Sequence, residues 1–123
     1  VETVAWVLCT LLIVQIVFQA MLASGARLGH IAYGGKHKGT LPNKLRLISA
    51  VAVVFYVFFF SVALTYATEM VIYPQRLNGV VLWVMSVFFG LGILANAASP
   101  SKPERWWALY ALAAFVCTVA LLT

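Results

Sequence analysis

Leu47-Ile-Ser-Ala-Val-Ala-Val-Val-Phe-Tyr-Val-Phe-Phe-Phe-Ser-Val-Ala-Leu-Thr-Tyr-Ala-Thr68 contains no charged residue. A helix needs about 20 mostly apolar residues to cross a bilayer, so this run is long enough to span one. Its aromatic stretch, Phe55 to Phe60, circles a helix completely, so some of those rings must face lipid or another subunit. Three similar runs surround it: Val4–Ser24, Val80–Ala98 and Trp106–Leu122. The 123 residues are 64% hydrophobic and only 9% charged. A soluble domain carries roughly 25% charged residues, so there is too little polar surface here to coat a water-soluble globule. No connection is long enough to separate two domains. The expected fold is therefore all-α: one domain over residues 1–123, built as a four-helix transmembrane bundle. The first run lacks a basic leader and a clear cleavage site, and it reads as a retained helix.

The charges orient the bundle. The first connection, about Gly25 to Arg46, holds Arg27, Lys36, Lys38, Lys44 and Arg46. The third, about Ser99 to Arg105, adds Lys102 and Arg105, whereas the second has only Arg76. Loops one and three of a four-span protein share a side, and positive charge favours the cytoplasm. Both termini are thus expected on the outer side. Net charge is +5. Beside membrane helices that excess is topogenic, and no nucleic-acid-binding motif accompanies it.

Local chemistry supports the boundaries. Ser101-Lys-Pro-Glu104 matches a capping box, with Pro103 in the first turn, where its missing N–H costs nothing. Pro42 marks the entry to the second helix, and Tyr73-Pro74 divides the second from the third. Trp106, Trp107, Tyr66 and Tyr73 suit the interfacial belts. Pro42-Asn43-Lys44 and Pro103-Glu104-Arg105 also echo each other, although any loop feeding a helix at a membrane surface gives that pattern.

Several residues invite chemical readings. Loop one is rich in glycine, and Gly34, Gly35, His30, His37 and the nearby cations are candidates to hold a lipid phosphate or another anion. The ordinary reading is a tight turn packed on the helix ends with its cations in water. The spacing is not that of a Walker loop. His30 and His37 are too few for a metal site, which usually needs three or four ligands, and no cofactor is called for. Gln15 and Gln19 lie one turn apart inside the first span. Such amides act as interhelical glue, with Asn96, Ser49, Ser61, Thr65 and Ser86 as possible partners, or else line a polar cavity. No Asp, Glu, Lys or Arg falls near the middle of a span, which argues against a proton-coupled pump or ion pathway. Cys9 and Cys117 should sit at similar depth, yet without a Cys-x-x-Cys pair they read as buried free thiols. Small residues on the third helix (Ser86, Gly90, Gly92) and the fourth (Ala108, Ala111, Ala114) allow close approach.

Two segments carry a resemblance. Gly25…Gly29…Ala32-Tyr33-Gly34-Gly35…Leu41-Pro42…Leu45-Arg46…Ser49 and Asn96…Ser99…Ser101…Glu104-Arg105…Trp107 resemble the loops of small bacterial four-span membrane proteins with no assigned activity. The resemblance implies a bacterial inner (plasma) membrane protein and directs functional interest to the two basic loops. It implies no catalytic residue.

The leading expectation is a non-enzymatic protein acting through helix–helix contacts, as an accessory subunit of a larger membrane complex or a self-associating bundle. Its basic face (Arg27, Lys36, Lys38, Lys44, Arg46, Lys102 and Arg105) would meet anionic lipid or an acidic partner, at about 1 kcal/mol per base near a negative leaflet. The alternative is a small transporter or lipid-handling protein with a polar cavity lined by Gln15, Gln19 and Asn96. A third reading is a membrane enzyme acting on a lipid or quinone through His30 or His37. The orientation is directly testable. A periplasm-active reporter fused after Thr123 should give signal, and one inserted near Gly39 should not; the reverse pattern would overturn the charge argument.

Overall fold

The computed structural model describes the whole chain, Val1–Thr123, and every regular element is helical. Helix α1 (Glu2–Ser24) leads through two single 3₁₀ turns (Gly29–Ile31 and Tyr33–Gly35) to α2 (Asn43–Thr68). After the second loop come α3 (Gln75–Ala97), the one-turn α4 (Lys102–Arg105) and α5 (Trp107–Leu122). Trp106 keeps right-handed helical angles between the last two, so 102–122 forms the fourth long apolar rod. All four rods are long and apolar enough to cross a membrane.

The second and third helices start earlier than the apolar runs suggest, at Asn43 and Gln75 rather than at 47 and 80. The reason is physical. Hydropathy marks only the part of a helix that lies in hydrocarbon, while the backbone signal lies upstream. Pro42 and Pro74 are the N-cap residues, with extended ψ of 157° and 142°. Nothing between them and the apolar residues breaks a helix, so Asn43–Arg46 and Gln75–Asn78 form polar first turns. The first helix likewise begins at Glu2 rather than Val4.

Packing divides the bundle into two antiparallel hairpins. Helix α1 lies mainly along α2, and α3 along α5. The hairpins meet chiefly where α1 touches α5, whereas α2 and α3 touch little. Fully buried residues include Leu8 and Leu12 of α1, Val62 and Ala63 of α2, Met85 of α3, and Ala114 and Thr118 of α5. Small residues line the α3–α5 contact. A methyl group placed on Gly92 would rest 3.6 Å from Ala111 Cβ, and one on Gly90 would lie 3.5 Å from the Phe115 ring. Cys9 and Cys117 are both free thiols.

Loops one and three share one end of the bundle, and loop one is a compact cap. Helix α1 ends in a Schellman motif: Gly25 (φ 102°) donates to Leu22 O and Ala26 to Met21 O. Arg46 from the first turn of α2 adds a bond from its Nε to Ala23 O at 3.0 Å. A cation against helix-terminal carbonyls also complements the macrodipole. Leu22, Ala32 and Leu41 form a small separate core beneath the loop, flanked by Phe18, Leu28, Tyr33 and Leu45. The chain then crosses itself at Gly29, whose N–H donates to Gly39 O at 3.0 Å. A Cβ at Gly29 would fall 1.7 Å from His37 O and 2.6 Å from Gly39 O. Both obstacles are backbone, so neither can swing aside. Gly29→Ala is expected to cost about 3 kcal/mol, read as a lowered unfolding temperature in detergent. Gly79→Ala, where a Cβ meets nothing within 4 Å, should be neutral or gain up to about 1 kcal/mol.

Candidate functional site

Glu104 joins the two loops. It lies on the short α4 turn and is 8% exposed. The Ser101 hydroxyl accepts from Glu104 N–H at 3.3 Å, which is the first half of the expected capping box. The second half is absent. Ser101 N–H instead donates to the Ser99 hydroxyl. The Glu104 carboxylate turns away from its own helix and accepts two bonds on Oε1. One comes from Gly34 N–H in loop one at 3.0 Å, the other from the Ser99 hydroxyl. The Ser101 hydroxyl donates to His30 O, adding a second tie between the loops. A Cβ on Gly35 would fall 2.6 Å from Ser101 Cβ, so only glycine lets the loops come this close.

This contact depends on an unusual stretch of backbone. Tyr33, Gly34 and Gly35 have φ of 49°, 79° and 73°. Left-handed angles come readily to glycine but are uncommon for tyrosine, and such strain persists only where surrounding contacts hold it. One such contact is visible: the Tyr33 hydroxyl lies 2.9 Å from the Ser49 hydroxyl on α2. The arrangement aims the Tyr33 ring and Glu104 at the same space.

That space is a cavity of about 590 Å³ directly beneath the loops. Helix α1 contributes Gln15, Phe18 and Gln19, and α2 contributes Ile48, Ala52 and Tyr56. Phe88, Gly92, Ala95 and Asn96 come from α3, and Trp107, Tyr110 and Ala111 from α5. Ile31–Gly34 and Ala98–Pro100 close the basic end. Gln15 sits nine residues before the end of α1, so the cavity reaches about 14 Å into the bundle. Two of its walls reach the outer surface: Ile48 of α2 and Phe88 of α3 are 44% and 45% exposed, on helices that touch less than α1 and α5 do. The gap between α2 and α3 is therefore framed by apolar side chains.

The walls are aromatic. Phe18 and Trp107 have centroids 4.7 Å apart, Trp107 and Tyr110 5.3 Å, and Tyr56 and Phe88 5.8 Å. Polar side chains are fewer than apolar ones. Gln19 donates to Gln15 Oε1 at 3.0 Å, leaving its own buried Oε1 without a partner. Asn96 spends its amide N–H on Gly92 O. Glu104 is the single charged residue of the lining, which holds no Lys, Arg or His.

The sequence candidates thus separate into two groups. Gln15, Gln19 and Asn96 meet in one cavity. Gln15 and Gln19 bond to each other, and neither bonds to Asn96, Ser49, Ser61, Thr65 or Ser86. Of the basic-face residues, His30, Lys36, His37, Lys38, Lys44 and Lys102 are exposed. Arg27 is exposed beside Gly39, and Arg105 bonds Ser99 O through Nε at 2.7 Å. Arg46 is half-buried on the end of α1. Gly34 gives its N–H to Glu104 and Gly35 packs on Ser101. The sequence reading missed Glu104 as the link between loops and missed the aromatic walls. A lone carboxylate amid seven cations was the available signal, but the capping-box pattern accounted for it. No known family model, curated protein or solved structure matches this chain.

Glu104→Ala should lower stability by about 3 kcal/mol, because it strands the Gly34 N–H and the Ser99 hydroxyl in a buried site. Glu104→Gln keeps an acceptor oxygen but loses the charge, and should lower the unfolding temperature clearly less than Glu104→Ala does. Equal unfolding temperatures for the two variants would show that the carboxylate does not hold the loops.

Proposed function

We propose that this multi-pass membrane protein binds an amphiphilic molecule in the cavity between its hairpins and carries or presents it at the basic end. The observation that carries this reading is the single cavity shared by Gln15, Gln19 and Asn96. Pockets for small molecules are typically 300–1,000 Å³, mainly apolar, with a few convergent polar groups. The cavity has that size and composition. Its apolar walls reach the outer surface at Ile48 and Phe88, which supports entry of a lipid-soluble guest from the bilayer side. Transport or lipid handling therefore fits the geometry better than the accessory role that the sequence favours.

The basic end keeps a place in this reading. With loops one and three in the cytoplasm of a bacterial inner membrane, Lys36, Lys38, Lys44 and Lys102 would lie against the anionic leaflet and hold the mouth at headgroup level. A subunit role remains the second reading. It is supported by rings such as Phe55 and Trp83, 59% and 65% exposed within the spans, where a partner helix could lie.

Native mass spectrometry of protein extracted gently from its own membrane separates the two. The ligand reading expects a small-molecule or lipid mass on the wild type. That mass should be lost from Ala52→Trp, which fills the cavity from the α2 side. A wild-type protein free of any such mass, but bound to a defined set of larger subunits, would replace this reading with the accessory one.

A further inference from the structure

The lining of the cavity says more about its guest than its volume does. We infer that the site selects an amphiphile with a cationic, ammonium-type head, held by Glu104 and the surrounding aromatic rings. This inference rests on the cavity being a ligand site.

Glu104 has one free oxygen. Both of its protein hydrogen bonds fall on Oε1, and Oε2 has none. The residue is more than nine-tenths buried and lines the cavity. No lysine, arginine or histidine joins it there, although seven Lys and Arg lie in the two adjoining loops. Arg46 and Arg105 bond backbone carbonyls through Nε. The carboxylate therefore keeps one oxygen for a guest's donor on the edge of a mainly apolar space, where Coulomb attraction is stronger than in water.

The other groups favour the same head. Gln19 Oε1 is a buried acceptor without a donor. Trp107, Tyr110, Tyr56 and Tyr33 line the same cavity, and aromatic faces attract cations and commonly hold ammonium groups. An anionic head would meet Glu104 with like charge. A neutral tail alone would leave Glu104 Oε2 and Gln19 Oε1 without a donor.

Three single-chain probes test this on the full-length protein in phosphatidylglycerol nanodiscs, with empty discs subtracted. They are decyltrimethylammonium, its uncharged isostere with tert-butyl in place of trimethylammonium, and decyl sulfate. The cation should bind at least tenfold more tightly than either alternative. Glu104→Gln should remove that preference while leaving the isostere's binding unchanged. Equal binding of cation and isostere, or a preference surviving Glu104→Gln, would overturn the inference and leave the ligand site standing. No saturable binding of any probe would overturn both. If Glu104→Gln fails to fold, the wild-type comparison of the three probes decides alone. Discs containing phosphatidylethanolamine identify the source of the head. Competition with the cation assigns the site to a lipid ammonium, and its absence assigns the site to a free amphiphile.

Discussion

A buried carboxylate that bonds across the chain, rather than within its own helix, organises the working end of this protein. Glu104 accepts from Gly34 N–H and from the Ser99 hydroxyl, and so fastens loop one to the start of the last span. Loop one can approach only because Gly34 and Gly35 adopt left-handed angles and Gly35 lacks a side chain. Charge-assisted bonds are roughly twice as strong as neutral ones, which suits a link that must hold a strained tyrosine in place. The roof of the cavity, the orientation of Tyr33 and the separation of the helix ends all follow from this contact.

The structure also explains how a strongly basic protein comes to have an acidic cavity. Two of its cations are committed to backbone carbonyls at helix ends. The lysines stand in solvent, where screening limits their reach to about one Debye length. Inside, a single carboxylate meets aromatic rings and amides with no opposing charge. Net charge thus describes the exposed surface of the two loops, while the only charge in the cavity lining has the opposite sign.

Much of the architecture was legible in the chain. Four apolar runs gave four helices long and apolar enough to cross a membrane, Pro42 and Pro74 gave the helix entries, and small residues marked faces able to pack closely. The helix starts at Asn43 and Gln75 were less visible, because hydropathy reports the hydrocarbon slab and says little about polar turns outside it. Gln15, Gln19 and Asn96 were recognisable as polar residues within spans. That they share a cavity was not, since it depends on which helices pair. The role of Glu104 was hidden for a similar reason: Ser101-Lys-Pro-Glu104 has an adequate local explanation, and its true partner is 70 positions away.

The hairpin arrangement has a mechanical consequence. One seam between the hairpins is sewn along α1 and α5 and tied at the loops by Glu104, while the opposite seam, between α2 and α3, holds few contacts. Stiffness is therefore unequal around the bundle. A guest too wide for the cavity would do its work against the weaker seam, turning the hairpins about the α1–α5 line like the arms of tongs. The Tyr73–Ser61 hydroxyl contact, 2.9 Å long at the far end of α2, pins the second loop against that helix. The short 69–74 connection also joins α2 to α3 at that end, so widening of the seam would be greatest at the basic end.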